Sequence, residues 1–110
     1  FDYHVKQADD KGLGVMHALE MPFVFRGVEE QFPEDTDAAA LSKEMHTYWA
    51  NFMKTGNPND SGESNGEPKV IWPDLSQKSK TMIVFGKEIK EAPIPDSSDV
   101  EFVMELIWEK

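Results

Sequence analysis

The clearest pattern in the chain is an apolar stripe between positions 41 and 53. Leu41, Met45, Tyr48, Trp49, Phe52 and Met53 stand at i, i+4, i+7, i+8, i+11 and i+12, the repeat of one face of an amphipathic helix. Thr36 or Asp37 can cap its start, Ala38, Ala39 and Ala40 favour helix, and Gly56 sits where a left-handed C-terminal cap belongs. A shorter recurrence, Phe102, Val103, Leu106 and Ile107, predicts a terminal helix, with Asp96 to Asp99 offering caps. Strand-like patterns are brief. Phe1, Tyr3 and Val5 alternate with Asp2 and His4, and Met82 to Phe85 is a short apolar run closed by Gly86.

The stretches between these elements read as loops. Gln7 to Gly14 is polar and carries two glycines, and it delivers the chain to His17. Met21 to Phe25 fits either a short helical turn or an extended buried run, and the pattern leaves both open. Arg26 to Asp35 reads as a second loop. Asn57 to Lys69, rich in Asn, Gly, Ser, Pro and Asp, reads as a long polar one. Val70 to Pro73 returns to apolar residues, and Pro93 and Pro95 break the chain again. The order predicted is strand, loop with His17, helix, long loop, short strand, terminal helix.

A chain of 110 residues makes at most one domain. Its 21 acidic residues against 11 basic ones, a net charge of -10, argue against a nucleic-acid partner, since phosphate neutralisation needs clustered Lys and Arg. The same excess disfavours an anionic membrane surface. No apolar run approaches the roughly 20 residues that a membrane helix needs. Without cysteine there is no disulfide, thiolate nucleophile or thiolate metal site, and localisation stays open. The chain opens as if in mid-strand, with no initiator Met or signal sequence, which reads as a piece of something longer.

Candidate chemistry is sparse. His17 stands among small and apolar residues just ahead of a Pro-started aromatic run, a setting more often structural than catalytic. Gly62-Glu63-Ser64-Asn65-Gly66 matches the G-x-S-x-G pattern of a nucleophile elbow. An elbow needs a buried strand before the serine and a helix after it, whereas Asn57-Pro58-Asn59 precedes and Pro68 comes after. No histidine comes later in the chain, so Ser64 is rejected as a nucleophile. His4, His17 and His46 share no metal-ligand spacing, and His46 reads as an edge residue of the long helix. No phosphate-cradling loop is present, and neither a metal nor another cofactor is expected.

Taken together, the blocks resemble the carboxyl-terminal part of the type-B carboxylesterases, the cholinesterase-like and para-nitrobenzyl-esterase-like branch of the α/β-hydrolases. Gly14-Val15-Met16-His17-Ala18-Leu19-Glu20-Met21-Pro22-Phe23-Val24-Phe25 is similar to that family's segment around its catalytic histidine. Leu41 to Met45, and Tyr48-Trp49-Ala50-Asn51-Phe52 through Thr55-Gly56-Asn57-Pro58-Asn59, form the most specific block. Trp72-Pro73 followed by Met82 to Phe85 forms a third.

The resemblance implies an α/β fold in which residues 1–110 make up the carboxyl-terminal part of one hydrolase domain: last strand or strands of the central sheet, histidine loop, long helix, small strand and terminal helix. It implies carboxylic ester hydrolysis through an acyl-enzyme, with His17 as the triad base and the serine and acid on an amino-terminal portion. Imidazole titrates nearest neutral pH, which suits that role. Glu20 is implied as a buried support beside the site rather than the triad acid. Ala18 stands where many members carry glycine and is expected to narrow the turn slightly. The terminal helix lacks the disulfide cysteine usual in secreted animal members, which points to a bacterial-type esterase. Expected partners are an ester substrate and the amino-terminal portion. The isolated piece is expected to be inactive and prone to self-association through its orphan strand. The rival reading is a non-catalytic binding or adhesion member of the same fold.

Overall fold

A computed structural model describes residues 1–62, 68–74, 80–95 and 97–108. In chain order the elements are α1 (Lys6–Asp9), α2 (Met21–Val24), α3 (Val28–Gln31), α4 (Thr36–Thr55), β1 (Thr81–Phe85), β2 (Ile89–Pro93) and α5 (Ser97–Trp108). The longest, α4, is the helix that the apolar stripe predicts. The Asn57 to Lys69 loop and the Gly62 to Gly66 motif fall partly outside the described residues, and Ser64 does so entirely.

The cap of α4 lies one residue before Thr36 and two before Asp37. Asp35 is the cap, and its Oδ1 accepts the Ala38 N–H at 2.9 Å. The same oxygen accepts the Tyr3 hydroxyl at 2.7 Å, so the cap also ties the chain's first residues to the helix. At the other end Gly56 has φ +78 and its N–H reaches the Phe52 carbonyl at 2.8 Å. Leu41, Met45 and Tyr48 are buried, but Phe52 and Met53 at the end of the stripe are exposed. The stripe predicts the helix correctly and overstates how much of it is covered.

Residues 1–5 do not form a ladder. Tyr3 and Val5 point inward and Asp2 and His4 outward, as the alternation predicts, yet one backbone bond, Asp2 N–H to the Phe85 carbonyl at 2.7 Å, reaches a strand. The Gln7–Gly14 loop begins inside α1, and the Arg26–Asp35 loop contains α3. Both are single turns too short to carry a periodic signal. At Met21 the helical alternative holds, with Pro22 in the first turn of α2, where its missing N–H costs nothing.

The stretch broken by Pro93 and Pro95 holds a strand that the pattern misses. β2 pairs antiparallel with β1, from Phe85↔Ile89 to Thr81↔Pro93. Pro93 stands at the last rung of this two-stranded sheet, the edge position where a missing donor is tolerated. The core gathers Val5, Phe23, Val28, Met45 and Tyr48, with Ile83 and Phe85 from β1. Two aromatic groups dominate it. Phe23 meets Phe1 and Tyr3 at centroid distances of 4.9 and 5.4 Å, and Trp72 meets Tyr48, Trp49 and Phe85 at 5.7, 5.5 and 5.3 Å.

Candidate active site

His17 sits at the corner of a tight turn. The Leu19 N–H donates to the Met16 carbonyl at 3.2 Å, closing a four-residue turn with His17 and Ala18 at its centre. Ala18 has φ +64 while His17 keeps a negative φ, the combination of a type II turn. That third position favours glycine, and an alanine there carries a strain of roughly 1–2 kcal/mol. The effect of the alanine that the structure displays is on the backbone dihedral.

The segment just past the turn is well anchored. Leu19 is buried, the Met21 N–H bonds the Ala18 carbonyl at 3.2 Å, and Glu20 opens α2, its carbonyl accepting the N–H groups of Phe23 and Val24. α2 in turn is pinned to α4 by two side chains. The buried Ser42 hydroxyl donates to the Phe23 carbonyl at 2.8 Å, and His46 Nδ1 bonds the Val24 carbonyl at 2.9 Å. A carbonyl only accepts, so the His46 proton is on Nδ1. The edge histidine of the sequence pattern is thus one of two clamps holding the segment that carries His17. A polar pair at i, i+4 beside an apolar stripe is the signal that could have revealed them.

The His17 imidazole itself is exposed and has no hydrogen-bond partner among the described residues. It lines an open hollow of about 440 Å³ with Leu13, Met16, Pro22 and Phe32. Glu20 is half-buried, and its carboxylate likewise meets no donor among the described residues, so the structure does not join the two side chains. His4 belongs elsewhere: its Nδ1 lies 3.0 Å from the Asp9 carboxylate, and that hydrogen bond raises its pKa above the ordinary histidine value. No group of three His, Cys, Asp or Glu among the described residues could hold a metal ion.

Comparison with known proteins decides the family. The description "Carboxylesterase family" belongs to a family model that matches residues 1–103. The chain belongs to the carboxylesterase family. Within it, the chain is similar to the para-nitrobenzyl esterase of Bacillus subtilis (strain 168), 32% identical over 102 residues, covering 88% of this chain and 19% of that protein. It is also similar to the acetylcholinesterase of Danio rerio, 31% identical over 77 residues, covering 69% of this chain and 12% of that one. The cocaine esterase of Homo sapiens is 40% identical over 68 residues, 58% of this chain and 11% of its own length. A solved PNB esterase superposes with a TM-score of 0.61 at 29% identity, covering 81% of this chain and 17% of that chain. The fold class is therefore α/β, that of the α/β-hydrolases, and this carboxylesterase chain spans less than a fifth of the length of these relatives.

Proposed function

We propose that residues 1–110 are the carboxyl-terminal part of the catalytic domain of a serine carboxylesterase, and that His17 is its general base. The observation that supports this best is the placement of His17: exposed at the corner of an anchored turn, unpartnered by this chain's described residues, in a carboxylesterase-family sequence. A base of this kind must keep one ring nitrogen open to a serine and offer the other to a carboxylate. Both partners are assigned to an amino-terminal portion of the same enzyme.

In this reading His17 takes the serine proton as the hydroxyl oxygen attacks the ester carbonyl, then delivers it to the departing alkoxide. Water repeats the sequence on the acyl-enzyme and releases the acid. Glu20 supports the segment behind His17 and takes no proton. Ser42 and His46 keep α2, and so the turn before it, from drifting relative to α4. Small displacements of a base are costly, because proton transfer needs hydrogen-bond contact.

The test is His17→Ala in the full-length enzyme with a p-nitrophenyl ester. The expected result is a kcat lower by about 10⁴–10⁶-fold with an unchanged circular dichroism spectrum. Activity within tenfold of the parent overturns the assignment. The isolated 110-residue chain is expected to be inactive and to self-associate through residues 1–5, which size-exclusion chromatography checks.

A further inference from the structure

A tripeptide in the loop after α4 carries chemistry that ester hydrolysis does not use. Asn59-Asp60-Ser61 has the form Asn-x-Ser with x other than Pro, the acceptor pattern for N-linked glycan attachment. In the folded chain both ends of the Asn59 amide are engaged by one residue. Its Oδ1 accepts the Trp72 N–H at 2.7 Å, and its Nδ2 donates to the Trp72 carbonyl at 2.9 Å. This clasp is held from both sides. Trp72 packs into the aromatic group with Tyr48, Trp49 and Phe85. The loop is fastened to α4, where Nδ2 of the buried Asn51 donates to the Pro58 carbonyl at 3.2 Å and Thr55 Oγ1 accepts the Asn57 N–H at 3.0 Å. Asn59 itself is half-buried, and the Ser61 hydroxyl donates to the Gly62 carbonyl at 2.9 Å.

We propose that Asn59 is a glycan acceptor in the unfolded chain and that folding closes it, because the sugar and the Trp72 carbonyl compete for one position on the same nitrogen. In the transfer, Nδ2 bonds to the anomeric carbon of a lipid-pyrophosphate-linked oligosaccharide. The bond from that carbon to the pyrophosphate oxygen breaks, and an amide proton leaves to a base on the transferase. The product is a secondary amide, which is planar and strongly prefers the trans form, so the sugar lies on the same side of the C–N bond as Oδ1. The N–H that serves the clasp lies on that side too, since Oδ1 and Nδ2 reach a single residue. The proton that remains after transfer points away from Trp72. A glycan at Asn59 therefore removes the donor to the Trp72 carbonyl and puts a sugar ring between the loop and Trp72. A closed clasp, conversely, withholds Nδ2 from a transferase. Modification and closure exclude each other, whatever the role of His17.

Transfer to folded and unfolded acceptors separates the two states. The full-length enzyme, folded and purified from a bacterial host, and a synthetic peptide of residues 55–64 are each incubated with a eukaryotic oligosaccharyltransferase and a lipid-pyrophosphate-linked oligosaccharide. Mass spectrometry of the fragment containing Asn59 reads the extent of transfer. The peptide is expected to be modified, and the folded enzyme to react about 100-fold more slowly or slower still, since transfer must wait for the loop to open. A smaller difference in rate overturns the exclusion. A peptide that stays unmodified overturns the acceptor assignment.

The same competition can be read in a cell. Directed through the yeast secretory pathway, the full-length enzyme is expected to carry the glycan at Asn59 in the retained, aggregated pool and to lack it in the soluble secreted pool. Ser61→Thr, a stronger acceptor, should enlarge the retained pool. Ser61→Ala keeps Asn59 and its clasp but abolishes the acceptor, and should enlarge the secreted one. Equal occupancy of Asn59 in the two pools overturns the proposal, as does a rise in occupancy with Ser61→Thr that leaves the secreted yield unchanged.

Discussion

α4 and α5 carry the same kind of apolar repeat and end in opposite environments. α5 has the more apolar composition of the two, yet Phe102 and Ile107 are 60% and 62% exposed, and its Glu101 reaches the rest of the chain through an ion pair with Lys80. α4 buries Leu41, Met45 and Tyr48 against α2 and β1. What α4 has in addition is a partner that matches it in two ways. Phe23 and Val24 fill its apolar face, and their carbonyls meet Ser42 and His46. Periodicity thus specifies that a segment is helical, while burial depends on a neighbour with apolar surface and hydrogen-bonding groups in register.

If that contrast is right, the two helices should respond very differently to truncation. Phe23→Ala, at the centre of the α2–α4 contact, should lower the unfolding free energy by about 3–5 kcal/mol in urea titrations. Ser42→Ala should lower it by about 1–3 kcal/mol, because the Phe23 carbonyl stays buried without that donor. Asp35→Ala removes the α4 cap and the acceptor of the Tyr3 hydroxyl together, and should cost about 1–2 kcal/mol by the same measurement.

Alkaline pH gives a gentler probe of the packed region. Burial, then the hydrogen bond to Asp35, raises the Tyr3 phenol pKa above its ordinary value. The unfolded chain therefore loses that proton first. Stability from this group is intact below about pH 10 and falls as pH rises beyond it. Tyr48 acts in the same direction, its pKa also raised by burial. Tyr3→Phe should flatten the alkaline decline without abolishing it. Smallest of all, Phe102→Ala should shift stability by no more than about 0.5 kcal/mol. A loss of roughly 2 kcal/mol there would mean that α5 is packed against something and erase the contrast.

The parts of the fold legible in the sequence are those with long-range regularity. α4 is visible from its stripe and Gly56, and α5 from Phe102 to Ile107. α1 and α3 are invisible because one turn offers no repeat, and β2 because Pro93 reads as a breaker until it is seen at the last rung of a two-stranded sheet. The Asp35 cap is missed because its neighbours Thr36 and Asp37 are equally good caps on paper. What selects it is the Tyr3 hydroxyl, which arrives from 32 positions away. His17 is singled out by resemblance alone. Neither its exposure nor the hollow beside it can be read from spacing, since both depend on where Leu13, Pro22 and Phe32 are brought in three dimensions.

The turn at His17 has one more consequence, which concerns handedness. Ala18 at φ +64 is an L-residue in the region that is the mirror image of its own preferred basin. The surrounding hydrogen bonds, not the residue, choose the conformation. A D-alanine placed there by chemical ligation would keep the methyl group's size while making the same backbone angle its preferred one. Glycine would relieve the strain too, but would free the turn to explore both hands. The D-residue separates relief from freedom. It asks whether His17, the proposed base, works best on a corner that is comfortable, or on one that its neighbours must hold in place.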